Sequence, residues 1–381
     1  MTGTIAAREI YLDYNATAKV RPEAAQAMLE ALALTGNASS VHASGRAARA
    51  MVETARASVA ALAAAEPSAL TFVSGGAEAN ALAMGSAMAA GVRRVIIGAT
   101  EHDTVRETAL ASGLPVEVWP VDSQGLADLD WLRDALRREG QALVCLMLAN
   151  NETGVIQAVA EASRLVRAAG GWLHVDAVQA AGKIAIDLAA LGADTLALSG
   201  HKLGGPQGIG ALAAGPRAAI ARRQHGGGQE RGRRAGTENV PGIAGFGAAA
   251  RVALADLGGA EAQRAGRGAL ERRAVAAGAT VLGAGAPRVP QTLCLAMPGF
   301  PADLQVISLD LAGVRISAGA ACSSGKVKAS PVVAAMGRPD LAPYAIRISG
   351  GWATTPDDWA RCGDIWLALN ERRTVRRLEV A

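Results

Sequence analysis

Two apolar runs in this chain stop on residues with usable chemistry. Thr195-Leu196-Ala197-Leu198-Ser199 leads into Gly200-His201-Lys202 and then Leu203-Gly204-Gly205-Pro206. The run reads as a short buried strand, and the glycines read as the loop that ends it. A lysine directly after a buried strand must have its ammonium solvated or paired. Desolvation lowers the pKa of an amine and makes it a nucleophile, the condition for Schiff-base chemistry. The plain alternative is a lysine that caps a strand end at the surface. Upstream, Trp172-Leu173-His174-Val175-Asp176 is a second such run, ending on a carboxylate, with Gln179 close behind.

Asp176 and Lys202 at the carboxyl ends of neighbouring strands match what pyridoxal phosphate (PLP) requires. The lysine holds the aldehyde, and the carboxylate keeps the pyridine nitrogen protonated so that the ring withdraws electrons. Other segments carry further candidates. Ser74-Gly75-Gly76-Ala77-Glu78 follows the strand Leu70–Val73 and opens a helix. Backbone N–H groups at such a turn approach anions, although an ordinary tight turn has the same look. His102 closes Ala99-Thr100-Glu101-His102 past another strand, and outside any context it reads as a surface residue. Asn150-Asn151-Glu152 has turn chemistry.

The stretch from His225 to Asn239 is rich in glycine and arginine. It reads as a solvated loop or a basic patch, but it lacks the aromatics that stack bases. Cys322 sits among small residues in Ala318-Gly319-Ala320-Ala321-Cys322-Ser323-Ser324-Gly325, with Lys326 and Lys328 nearby to favour its thiolate. The alternative is an incidental exposed cysteine. Arg347, set into the strand Ala345–Ser349, is suited to a bidentate carboxylate contact or is a strand-edge charge.

In combination, His-Val-Asp-Ala-x-Gln, Ser-Gly-His-Lys and the cysteine loop resemble the fold-type I PLP enzymes of aminotransferase class V. They look most like the cysteine desulfurases of the NifS/IscS type, from Tyr11 to about Thr355. The resemblance implies an activity that converts L-cysteine to L-alanine and leaves sulfur on Cys322 as a persulfide. A sulfur acceptor or iron–sulfur scaffold would then take that sulfur. Lys202, Cys322 and His102 inherit catalytic roles. Gly76, Ala77, Ser199, His201 and Thr237 inherit the phosphate. Asp176 inherits the ring nitrogen, Asn151 and Gln179 the ring hydroxyl, and Arg347 with Asn151 the substrate carboxylate. Thr237 is implied to act in trans, in a homodimer with two shared sites.

Three departures stand out against that pattern. Ala77 replaces a hydroxyl-bearing threonine, Ala38 replaces a proline, and Lys326–Ser330 replaces Ser-Leu-Glu-Pro-Ser. The first implies weaker phosphate anchoring through backbone donors alone. Selenocysteine or cysteine-sulfinate lyases and other class V PLP enzymes share most of these motifs. A non-catalytic relative that kept the fold would bind no PLP. A dinucleotide-binding protein lacks support, since no Gly-x-Gly-x-x-Gly follows a strand.

These residues need a scaffold. Apolar runs at Val92–Gly98, Leu114–Trp119, Ala142–Leu148 and Trp172–Val175 read as strands, separated by helical patterns at Asp128–Arg137 and Val159–Ala169. Alternation of this kind gives a parallel sheet covered on both faces, with its site at the strands' carboxyl ends. The expected fold class is α/β, fold-type I. A large domain (15–255) has a mainly parallel seven-stranded sheet, and a smaller α+β domain (1–14 and 256–381) carries the cysteine loop. Val314–Ser317 reads as one strand and Gly247–Ala276 as one helical stretch.

With 381 residues, half of them hydrophobic, the chain has ample core, built from small and aliphatic side chains because aromatics are 3%. No apolar run reads as membrane-spanning and no signal-peptide pattern is seen, so no membrane partner is expected. A net charge of +4 gives no case for nucleic acid. The four cysteines have no paired spacing, which argues against disulfides and metal clusters and for a reducing cytoplasm. Cys145, Cys294 and Cys362 read as core residues.

Overall fold

Short Val-, Ile-, Leu- and Ala-rich runs become strands because both faces can be buried. A computed structural model describes residues 9–319 and 329–380, with the side chains of 374–380 excepted. The strands are β1 (Ile10–Tyr11), β2 (Leu70–Val73), β3 (Arg94–Gly98), β4 (Val116–Trp119), β5 (Ala142–Cys145), β6 (Trp172–Asp176) and β7 (Thr195–Ser199). Then follow β8 (Gly210–Ala214), β9 (Thr280–Val281), β10 (Thr292–Ala296), β11 (Val314–Arg315), β12 (Ser317–Ala318) and β13 (Ala345–Ser349).

The main sheet has seven strands in the order β2-β8-β7-β6-β5-β3-β4. The pairings from β7 through β4 are all parallel, whereas β8 runs antiparallel to both β2 and β7. The carboxyl ends of β2, β3, β5, β6 and β7 therefore share one edge, and the segments after them meet there. Helices cover both faces. Its core includes Phe72, Ile96, Trp119, Val144, Leu173, Leu198 and Phe246.

A second, antiparallel sheet has the order β12-β13-β10-β9, and β1 pairs in parallel with β11 beside it. Its own core gathers Ile10, Leu12, Leu293, Leu295, Ile346, Ile348, Trp359 and Trp366. The buried tryptophans are satisfied: Trp359 Nε1 donates to Gln263 Oε1 at 3.0 Å and Trp366 Nε1 to Gln305 Oε1 at 2.9 Å. Cys145, Cys294 and Cys362 are buried free thiols. Burial pushes Cys362 up to about 12 and raises Cys145 and Cys294 as well.

The expected strand Val314–Ser317 is two strands. Val314–Arg315 pairs with β1, and Ser317–Ala318 with β13, so the chain changes partner at Ile316. The stretch Gly247–Ala276 is also two helices, Val240–Ala255 and Ala260–Ala276, broken by a 3-10 turn at Asp256–Gly259. By length and composition Val240–Ala276 does reach what a membrane-crossing helix needs, which corrects the expectation that no run does so. Its apolar side chains Ile243, Phe246, Ala249, Ala250 and Ala253 are buried in the main core, which accounts for that composition.

Candidate active site

The shared edge of the main sheet opens on a cavity of about 670 Å³. Gly76, Ala77, His102, Asn151, Asp176 and Gln179 line it, as do Ser199, His201, Lys202 and Arg347. Ten of the expected site residues, drawn from segments far apart in sequence, thus face one space.

Lys202 lies in the 3-10 turn Gly200–Lys202 that ends β7. Its Nζ donates to Asn15 O at 2.6 Å and to Ala16 O at 2.8 Å. Burial, and then the nearby Arg347 guanidinium, push the amine down to about 8 against the pull of Asp13 and Asp176. It is the desolvated lysine, not the surface cap. Burial and the charges of Lys202 and Lys183 push His201 down to about 4, so its imidazole is neutral near pH 7.

Asp176 ends β6 and is held by two donors. Val178 N–H donates to Oδ1 at 2.9 Å, and Asn80 Nδ2 donates to Oδ2 at 2.9 Å. Asn80 also donates to Thr104 Oγ1 at 2.9 Å, and its own oxygen accepts from His174 Nε2 at 3.0 Å. Burial pushes His174 down to about 4. The neutral ring therefore accepts from the Thr195 hydroxyl on Nδ1, at 2.9 Å. His102 caps the helix Asp103–Leu110: its Nδ1 accepts from Thr104 N–H at 3.1 Å. That bond leaves the proton on Nε2.

The helix Gly76–Ala89 points its N-terminus into the cavity, and no side chain caps it. Its first-turn N–H groups lack intrahelical acceptors and are left to donate toward the cavity. A Cβ at Gly75 would meet nothing within 4 Å, whereas one at Gly76 would meet Val178 Cγ2 at 3.0 Å. The approach to the amides is therefore open on the Gly75 side. Ala77 is exposed to the cavity and offers only its N–H.

On the opposite wall, Arg347 in β13 donates to Asp13 Oδ1 at 2.7 Å and to Asn151 O at 3.3 Å. Its Nε has no partner among the described residues. Asn151 is presented by an Asx turn in which Asn150 Oδ1 accepts from Glu152 N–H and Thr153 N–H, both at 2.9 Å. The Asn-Asn-Glu turn chemistry is thus the means by which Asn151 reaches the cavity.

Several residues here had no local signal: Asn15, Asn80, Glu101, Glu152 and Lys183. Burial, and then Asp176, push Glu101 up to about 8, with Met147 N–H on its Oε1 working the other way. Burial raises Glu152 as well, opposed by the Ser330 hydroxyl that donates to its Oε2 at 2.5 Å. Lys183 Nζ donates to Asn15 Oδ1 and Gln179 Oε1.

The arginine-rich stretch is not a free loop. Glu230 accepts a bidentate pair from Arg56, at 2.7 and 2.9 Å, and Arg234 pairs with Glu78 at 2.9 Å. Arg233 donates to Ser68 O at 2.9 Å. Thr237 is exposed and does not line this chain's own cavity. Cys322, with Lys326 and Lys328, lies outside the described residues.

Residues 10–361 match the family model for aminotransferase class V. The chain is 42% identical over 360 residues to a cysteine desulfurase of Cereibacter sphaeroides, covering 91% of this chain and 92% of that one. It is 36% identical to the cysteine desulfurase IscS of Dictyoglomus turgidum, covering 97% and 96% of the two chains. The fold matches the crystal structure of a NifS-like protein from Rickettsia africae with a TM-score of 0.88 at 31% identity, covering 96% of this chain and 100% of that one.

The chain belongs to the aminotransferase class V family, whose members are PLP-dependent enzymes. Its sequence and its fold both align with the cysteine desulfurases of that family, and its activity is that of a cysteine desulfurase. The cavity fits the family cofactor. It offers an uncapped helix N-terminus for a phosphate, a buried carboxylate held by two donors for a pyridinium, and an amine pushed down to about 8.

Proposed function

We propose that this protein binds PLP in the cavity and converts L-cysteine to L-alanine, passing the sulfur through Cys322. The observation that carries this reading is the convergence of Lys202, Asp176 and the N-terminus of the helix Gly76–Ala89 on one cavity. When bound, PLP supplies an electron sink for the carbanion formed at the substrate Cα. Lys202 Nζ would hold it covalently, and the same amine, with its pKa lowered to about 8, is placed to take the Cα proton. Asp176 keeps the ring nitrogen protonated, and Asn151 and Gln179 meet the ring hydroxyl. Gly76, Ala77, Ser199 and the neutral His201 face the phosphate. Arg347, with its free Nε, and Asn151 hold the substrate carboxylate. His102, which lines the same cavity, would lie against the ring, and its Nε2 would shuttle a proton.

Cys322 attacks the substrate sulfur as thiolate. Its S–S bond forms as the substrate C–S bond breaks, and the carbon fragment takes up two protons, one at Cβ and the one held on Lys202 at Cα, and leaves as L-alanine. The persulfide passes to an acceptor, an iron–sulfur scaffold or another sulfur-using protein, in the cytoplasm. The unit 15–255 carries the cofactor, and 1–14 with 256–381 carries the cysteine loop. Thr237, absent from its own subunit's cavity, reaches the phosphate of the partner subunit in a homodimer.

The test compares sulfide and alanine release from L-cysteine, with a thiol reductant, for wild type, Cys322→Ala and Lys202→Ala. Both products in equal amounts from wild type and neither from the variants is the expected result. Full activity of Cys322→Ala would remove that residue from the reaction and leave a PLP lyase.

A further inference from the structure

Lys183 is 9% exposed and lies one turn beyond Gln179 after β6. A buried ammonium is ordinarily met by a carboxylate. Here both hydrogen-bond partners are neutral: Nζ donates to Asn15 Oδ1 at 2.9 Å and to Gln179 Oε1 at 2.5 Å. Each amide turns its oxygen to Lys183 and its NH₂ away, so Nζ spends two of its N–H bonds on the two oxygens.

The NH₂ groups then have defined targets. Gln179 Nε2 donates at 2.9 Å to Asn15 O, the carbonyl that also accepts from Lys202 Nζ at 2.6 Å. Asn15 Nδ2 donates to Asn151 O at 3.1 Å and to Thr292 Oγ1 at 3.0 Å. One side chain thus sets the sense of two amides, and through them touches the bonds of Lys202 and Asn151. An apolar side chain at 183 would leave two buried amide oxygens unpaired and both amides free to turn.

We propose that Lys183 is a positioning residue that fixes the polarity of the Gln179 and Asn15 amides, so that Gln179 presents N–H to the ring oxygen of the cofactor. This rests on the PLP reading above. Lys183 itself need not touch cofactor or substrate.

The experiment is a double-mutant cycle on the reconstituted holoenzyme: wild type, Lys183→Met, Gln179→Ala and the double variant. The readouts are the pH midpoint of the visible absorption band of bound PLP and the dissociation constant for PLP. A donor to the ring oxygen stabilises its anion and weakens the bound cofactor's hold on its titrating proton. Losing that donor is expected to raise the midpoint by about one pH unit in Lys183→Met, a tenfold change in proton affinity. Little further shift is expected when Lys183→Met is added to Gln179→Ala.

An unchanged midpoint in Lys183→Met, or an equal shift in both backgrounds, overturns the proposal. Should Lys183→Met fail to fold, Lys183→Gln carries the test, since it stays polar but offers either an N–H or an oxygen to each amide and so no longer fixes their sense. A raised midpoint supports the proposal, and an unchanged one sinks it. A wild type that binds no PLP and shows no band is a different failure, that of the PLP reading, and the inference falls with it.

Discussion

Arg56 and Arg347 are both 4% exposed and both meet a carboxylate, yet their surroundings differ. Arg56 makes two bonds to Glu230, a third to Leu70 O and, through Nε, one shared by the Glu53 carboxylate oxygens, and Glu230 also accepts from Phe72 N–H at 2.8 Å. Charge and geometry are closed there. Arg347 makes one bond to Asp13 and a long one to Asn151 O, leaves Nε without a partner among the described residues, and shares its neighbourhood with Lys202 and Lys183. A closed set holds the fold together. An open set leaves donor capacity that the fold does not use, and burial beside Arg347 lowers the pKa of both neighbouring lysines. The first pins the arginine-rich stretch to β2, and the second faces the cavity.

Breaking each set should therefore have different consequences. In the open set, Lys202→Ala is expected to lower alanine formation by at least about 10²–10⁴-fold while leaving the urea unfolding midpoint near that of wild type. In the closed set, Arg56→Met strands Glu230 and is expected to cost about 3–5 kcal/mol in urea unfolding, with the KM for L-cysteine unchanged in the folded fraction. A smaller effect is expected of Arg347→Lys, which keeps the charge but loses the planar fork. Its KM for L-cysteine should rise roughly 10–100-fold, more than kcat falls, as expected for about 1.5–3 kcal/mol of charge-assisted bonding.

Proton linkage sharpens the same contrast. Only the neutral Lys202 amine is nucleophilic, and its pKa is lowered to about 8. The rate at which the apoprotein captures PLP should therefore rise with pH and level off above about 8, as followed by absorbance in a stopped-flow series. The smallest change is expected from Ala77→Thr. A hydroxyl at the uncapped helix N-terminus should tighten PLP by about 0.5–1.5 kcal/mol, a few-fold in the dissociation constant by equilibrium dialysis.

The parts of the site that could be read from sequence share a physical cause. Asp176, Lys202 and His102 each follow an apolar run, so strand patterning alone puts them at one sheet edge. Asn15, Asn80 and Lys183 gave no such signal, because their partners lie far along the chain: Asn80 bonds Asp176 and His174, and Lys183 bonds Asn15. Only the finished topology brings them together. The strand β8, Gly-Ala-Leu-Ala-Ala, was equally silent. It has no β-branched residue and is a strand because β2 and β7 flank it. The split of Val314–Ser317 has the same origin, since each half answers to a different neighbour.

The opening segment binds almost entirely to what comes much later. Ile10 and Tyr11 pair with Val314 and Arg315, and Asp13 meets Arg347 and Ser349. Lys202 rests on the carbonyls of Asn15 and Ala16. On the ribosome this segment emerges before any of those partners exist. The main sheet brings Gln179, Lys183 and His201, which can already hold Asn15 and Ala18, whereas Arg347 and Ser349, which hold Asp13 and Asn15 from the other side, come only with β13. A nascent chain with a folded large sheet thus still lacks the Arg347 wall of its cavity until β13 has been made.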